Sequence, residues 1–138
     1  MNIAKIMIPR ACTVLLSEKQ TVRQGWEIMT RNGYTAIPVL DEESHFIGCV
    51  SEGDFLRFIL SAGALDLQEM EKHSVAELVR RDFCPPISID ATEAEVIGSA
   101  LNQNFVPIID SRNTLCGILT RRGVIAWLAE QKGISPTV

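Results

Sequence analysis

Ile37-Pro38-Val39-Leu40-Asp41, followed by Gly48-Cys49-Val50-Ser51, returns 69 positions later as Val106-Pro107-Ile108-Ile109-Asp110, followed by Gly117-Ile118-Leu119-Thr120. A duplication this regular means two copies of one supersecondary unit, neither able to bury its apolar face alone, so the chain is constrained to fold as a pair. With 138 residues and a hydrophobic fraction of 46%, one compact body built from two halves around a shared core is expected. Function is expected where the copies meet.

The net charge of −4 argues against nonspecific binding to nucleic acid or to an anionic membrane, because both need a sustained positive field. Any anion must be held locally. No apolar run approaches a membrane span, and Met1-Asn2-Ile3-Ala4-Lys5 lacks the basic start, apolar stretch and cleavage site of a secretory signal, so a cytoplasmic location is expected. Cys12, Cys49, Cys84 and Cys116 show no C-x-x-C spacing, which predicts buried free thiols over a disulfide frame or a metal site.

Each copy reads as helix, strand, helix, strand, strand, helix. Thr21 is placed to cap a helix with Val22, Trp26 and Met29 on one face and Asn32-Gly33 as its stop. A strand from Tyr34 to Leu40, a polar turn from Asp41 to His45 and a strand from Phe46 to Val50 follow. Ser51 then opens a helix with Phe55, Phe58, Ile59 and Ala62 on its apolar side. Ser51-x-x-Asp54, Ser74-x-x-Glu77 and Thr92-x-x-Glu95 all have capping-box form. In the second copy, strands Phe105 to Ile109 and Leu115 to Leu119 flank the Asp110 to Thr114 turn. Thr120 caps a last helix with Val124, Ile125 and Leu128 inward and Gly133 past its end. Before the central strands the copies align at an offset of 72 and after them at 69, so three residues are missing near Asn104 and the two clefts cannot be identical. The division predicted is a first repeat over 1–62, a connector over 63–73 rich in Glu, Gln and Lys, and a second repeat over 74–138.

On the A-I-P-V-L-D and V-P-I-I-D strands followed by G-C-V-S-E-G-D and G-I-L-T-R-R-G, the chain resembles tandem CBS domains, the Bateman module. The resemblance implies an α/β (α+β) fold in which two CBS repeats pack with pseudo-twofold symmetry, leaving two clefts that commonly hold adenine-containing ligands. More narrowly, Gly33-Tyr34-Thr35-Ala36-Ile37-Pro38-Val39-Leu40-Asp41 together with Gly117-Ile118-Leu119-Thr120-Arg121-Arg122 is similar to stand-alone CBS-pair proteins of Gram-positive bacteria that bind cyclic di-AMP.

Thr120-Arg121-Arg122 also points to a phosphate on physical grounds. The first turn of a helix presents unpaired N–H groups and a positive dipole end, so each cation there is disfavoured by roughly 0.3 to 1 kcal/mol. An anion reverses that sign, accepting from the backbone, the hydroxyl and the guanidinium forks together. The competing reading makes Thr120 only a cap, with the arginine stems reaching into water. By position, the resemblance adds Cys12, Thr13 and Val14 and also Tyr34, Thr35 and Ala36 to this cleft. Tyr34 would stack on a base or, alternatively, cover the core as a strand aromatic. Cys12 stands where that group is expected to carry a lysine, which leaves AMP, ADP and ATP open beside cyclic di-AMP.

For the second cleft the resemblance points to Ser51, Gly53 and Asp54, the carboxylate accepting both hydroxyls of a ribose. Capping alone explains the same spacing. Cys84, Pro85, Pro86 and Phe105 would supply its opposing wall, and the other copy has Gly123 in place of the Asp.

An enzyme has little support. His45 falls in a turn and His73 in the connector, both read as solvated, Asp41 and Asp110 stand where turn-forming Asp is expected, and no phosphate-binding G-x-x-x-x-G-K-[ST] loop exists. The remaining alternative is a dimeric scaffold with empty clefts, using Trp26, Met29, Phe58 and Trp127 for contact or burying them in the core. The expectation is therefore a regulatory module without a cofactor that binds an adenine nucleotide, forms a homodimer and signals to an effector protein, with no nucleic acid or membrane partner.

Overall fold

The computed structural model describes residues 1–62 and 66–134, so Gly63 to Leu65 of the expected connector, and the side chain of Ala62, lie outside the described residues. The chain forms two compact units, Met1–Thr13 with Cys84–Val138, and Val14–Phe83. Compact units and sequence repeats therefore divide the chain differently, because each lead segment packs on the sheet of the other repeat.

The unit Val14–Phe83 contains β2 (Leu16–Ser17), α2 (Val22–Asn32), β3 (Ala36–Leu40), β4 (Phe46–Ser51), α3 (Glu52–Ala62) and α4 (Leu67–Glu71), then a 3₁₀ turn at Val75–Glu77. Its sheet has the order β2-β3-β4. The other unit contains α1 (Ile3–Ile6), β1 (Ile8–Pro9), a 3₁₀ turn at Arg10–Cys12, β5 (Ile87–Ser88), α5 (Glu93–Asn102), β6 (Phe105–Ile109), β7 (Leu115–Thr120) and α6 (Arg121–Gln131), with sheet order β1-β7-β6-β5.

The duplication holds down to the register. Ala36 pairs with Ser51 as Phe105 pairs with Thr120, and the antiparallel ladder shifts at Val39/Leu40 as it does at Ile108/Ile109. Asp41 accepts from the Glu43 and His45 N–H groups at 2.8 and 2.9 Å, and Asp110 from the Arg112 and Thr114 N–H groups at the same distances. Ser44 and Asn113 take the left-handed conformation that closes each turn. Pro38 and Pro107 each stand one residue ahead of the short parallel pairing that begins at Val39 and Ile108, where a missing donor is tolerated.

Helix starts follow their signals. Thr21 and Gln24 form a reciprocal capping box, and Gly33 closes α2 at φ +66°. Val22 and Met29 are buried as the spacing predicts, with Trp26 half-buried against the Phe55 ring at 5.7 Å. The Ser74 box opens only a 3₁₀ turn. Thr92 accepts from the Glu95 N–H while its hydroxyl donates to the Glu95 carboxylate, so that box is half made.

Within the expected connector Asp66 caps α4, and Met70 is buried in the core beside Val22 and Val75. Several expectations are corrected. Ile125 points to solvent at 59% exposure, because α6 turns only Val124 fully inward. Cys12 is exposed while Cys49 and Cys84 are buried, and no disulfide joins the four cysteines. Tyr34 precedes β3 and is 48% exposed, so it is no strand aromatic covering the core. Met29 is 1% exposed and cannot serve an outer contact.

Candidate functional site

In the first unit, the candidate residues gather at the end of β7. Thr120 ends the strand opposite Phe105 and caps α6, its Oγ accepting from the Gly123 N–H at 2.9 Å. Gly123 suits this cap, since a Cβ there would lie 3.1 Å from the Thr120 oxygen. No acidic residue stands in the first turn of α6, so the positive helix end has no carboxylate of its own first turn against it.

The two arginines differ. The half-buried Arg121 donates from Nε to the Ala100 carbonyl at 2.7 Å and from its backbone to the Asn104 carbonyl at 2.8 Å. That side-chain bond covers a carbonyl in the last turn of α5, where a cation is favoured, and accounts for Arg121 without a ligand. Arg122 is exposed and has no ion pair among the described residues. The Thr13 hydroxyl donates to the Pro9 carbonyl at 2.9 Å, just after the 3₁₀ turn carrying Cys12. Gln103, which the sequence did not single out, donates from Nε2 to the carbonyls of Pro85 and Phe105, fixing the chain before the half-buried Pro86 to the start of β6.

In the second unit, β3 begins beside the end of β4, and the Thr35 carbonyl accepts from the Glu52 N–H at 3.0 Å. Thr35 and Ala36 therefore lie next to Ser51, with exposed Tyr34 at the mouth of the strand and Val14 half-buried just before β2. The Ser51 capping box is formed: Asp54 accepts from the Ser51 N–H at 2.8 Å and from its hydroxyl at 3.0 Å. Gly53 lies in the first turn of α3 with the Arg57 guanidinium over it. Asp54 also takes Arg57 and Arg80, two residues the sequence reading missed. Arg57 was legible as the i+3 neighbour of Asp54 on the helix, whereas no local spacing announces Arg80. Burial pushes the Asp54 carboxyl upward, but the Ser51 N–H, Arg57, the Ser51 hydroxyl and Arg80 outweigh it and hold the pKa below 3.8.

Sequence-expected residues thus fall in both units. Cys12, Thr13, Pro86, Phe105, Thr120, Arg121 and Arg122 are in one, and Val14, Tyr34, Thr35, Ala36, Ser51, Gly53 and Asp54 in the other.

His73 is not the solvated turn residue expected. Its Nδ1 meets Glu77 at 3.0 Å, its Nε2 faces Glu69 at 3.4 Å, and its ring stands edge-on to Phe58 at 5.0 Å. The Glu77 hydrogen bond raises the His73 pKa above 6.5 against a smaller desolvation effect. A raised folded-state value makes this contribution full below pH 6.5 and lost as pH rises through the folded pKa. Thermal melts are therefore expected to fall modestly as pH rises from 6 to 8.5, and His73→Gln to flatten that slope; equal slopes in both proteins would contradict the linkage.

With this geometry described, likeness to known proteins can be placed on it. Residues 3–61 match the model of the CBS domain. The curated Cyclic di-AMP receptor B of Bacillus subtilis (strain 168) is 28% identical over 101 residues, 73% of this chain and 68% of that protein. The crystal structure of CbpB in complex with c-di-AMP superposes with a TM-score of 0.87 at 22% identity, covering 96% of this chain and 87% of that one. The CbpB protein of Listeria monocytogenes in complex with c-di-AMP gives 0.82 at 24% identity, covering 96% and 98%. The CBS-pair fold thus extends over both repeats, although the matched CBS segment spans parts of both compact units. No described helix is long and apolar enough to cross a membrane, and no described cluster of His, Cys, Asp and Glu could hold a metal ion.

Proposed function

We propose that the chain is a regulatory receptor for an adenine nucleotide, cyclic di-AMP foremost, with AMP, ADP and ATP as the competing ligands, and that it is not an enzyme. The observation that carries the reading is the start of α6. There an eleven-residue helix opens with a hydroxyl cap and two arginines, one pinned and one exposed and unpaired, with no acid in its first turn. A phosphate at that point would accept from the exposed Arg122 guanidinium at a positive helix end, beside Arg121, whose Nε is held on the Ala100 carbonyl. Likeness to a cyclic di-AMP receptor and to c-di-AMP-bound structures supports the same ligand class.

In this proposal Cys12 and Thr13 serve the phosphate within the unit that carries α6, and in the other unit Val14, Tyr34, Thr35 and Ala36 are purine contacts, Tyr34 through its exposed ring. Ser51, Gly53 and Asp54 form a second nucleoside site within the unit Val14–Phe83. Occupancy is passed to an effector protein, which ligand binding can do only by favouring one arrangement of the chain over another. Titration calorimetry with cyclic di-AMP, AMP, ADP and ATP tests the reading. Saturable heat with at least one of them is expected, and none with any would overturn it.

A homodimer belongs to the proposal too. Exposed Leu101 and Ile125, at 76% and 59%, border an apolar groove of about 340 Å³ between α5 and α6. Ile125→Asp is expected to shift sedimentation from dimer to monomer; an unchanged dimer would place the contact elsewhere.

A further inference from the structure

We propose that Arg80 sets the ligand specificity of the Ser51–Asp54 site, by taking up from within the chain the acceptor positions a ribose would use. This rests on reading Ser51–Asp54 as a nucleoside site.

A carboxylate offers about four acceptor positions on its two oxygens. Oδ2 of Asp54 receives the Ser51 N–H at 2.8 Å and the Ser51 hydroxyl at 3.0 Å, and Oδ1 receives Arg57 Nη2 at 2.5 Å and faces Arg80 Nε at 2.9 Å. The Asp54 side chain is 5% exposed. A vicinal diol needs two of those positions at once; three are filled by hydrogen bonds, and the Arg80 guanidinium stands against the fourth.

Arg80 is held there by the fold. Its backbone exchanges both hydrogen bonds with Cys49, its guanidinium lies 4.1 Å over the Phe83 ring, and its Nη2 donates to the Ser51 hydroxyl at 3.3 Å. Arg80 Nε is shut off from solvent and misaligned for a hydrogen bond, so charge attraction to Asp54 is what keeps it in place. Two guanidinium groups against one carboxylate more than neutralise Asp54 itself, which leaves it a poor acceptor for a neutral diol.

The duplication supplies an internal comparison. At the offsets that superpose the copies, Asp54 corresponds to Gly123 and Arg80 to Ile8. Acid and cation are present together in one compact unit, and their counterparts are absent together from the other, as expected if Arg80 is there to occupy Asp54.

Adenosine, which has the diol and no phosphate, is the probe, with 2′-deoxyadenosine as control and cyclic di-AMP titrated in parallel. Arg80→Gln is expected to bind adenosine at least tenfold more tightly than the wild type, with no gain for 2′-deoxyadenosine. Arg80→Gln/Asp54→Asn should lose the gain. Arg80→Lys, which keeps a cation but lacks the Nε donor, should gain less than Arg80→Gln and serves if the latter folds poorly. Adenosine affinity equal to or below wild type in both Arg80 variants, with cyclic di-AMP still bound, overturns the inference alone. No binding of either compound by any form overturns the nucleotide reading with it.

Discussion

Arg122→Ala is expected to lower the affinity for cyclic di-AMP by roughly ten- to a hundredfold while leaving the melting temperature of the ligand-free protein unchanged. A hydrogen bond to a charged group contributes about 1.5 to 3 kcal/mol, and each 1.4 kcal/mol is about a factor of ten in binding. Nothing in the described structure depends on the Arg122 side chain, which is exposed and makes no ion pair. Removing it also relieves a cation at a positive helix end, worth roughly 0.3 to 1 kcal/mol, so stability should not fall. Arg121→Ala behaves differently. It also removes the 2.7 Å bond to the Ala100 carbonyl and should therefore cost about 1 kcal/mol of stability in addition to affinity. Calorimetry paired with thermal melts separates the two, and unchanged affinity in both variants would remove the phosphate site.

Gly117→Ala and Gly48→Ala should each destabilise the protein by about 2 to 4 kcal/mol, lowering the melting temperature by roughly 10 °C. A Cβ at Gly117 would lie 2.3 Å from the Ile8 carbonyl oxygen, and one at Gly48 would lie 2.5 Å from that of Arg80. Neither oxygen can retreat at little cost. Ile8 and Arg80 sit in the lead segments that bridge to Ile118 and Cys49, and the Arg80 oxygen accepts the Cys49 N–H at 3.1 Å. Gly48 also holds φ +148°, a conformation that side-chain-bearing residues rarely adopt. Denaturant titration measures the loss. A change below about 0.5 kcal/mol, the ordinary range of a surface substitution, would show that the lead segments are not locked onto the sheets.

Much of the fold was legible because its instructions are local. Thr21 with Gln24, Gly33 after Asn32, and Asp41 and Asp110 after their strands each act through hydrogen bonds within a few residues, so spacing alone reports them. Ile125 was misplaced because helical periodicity identifies a stripe and not how far the neighbouring sheet extends beneath it. His73 was misjudged for a related reason: Met70 packs α4 into the core, and in that packed helix Glu69 stands alongside the imidazole.

The candidate site divides along the same line. The residue types Thr120, Arg121, Arg122, Ser51 and Asp54 and their entry to helices were readable from sequence, but the occupancy of each side chain was not. Ala100 lies 21 positions from the Arg121 it binds, and Arg80 lies 26 from Asp54.

The sequence by itself determined that there are two copies of one unit, where their helices begin and end, and which turns join their strands, because caps and turns are set by neighbours along the chain. Only the tertiary structure decided that each lead segment closes the other repeat's sheet, that Arg121 is pinned while Arg122 is exposed, and that Asp54 is already surrounded by donors. Those outcomes depend on which surfaces meet after burial, and no pattern of nearby residues encodes that.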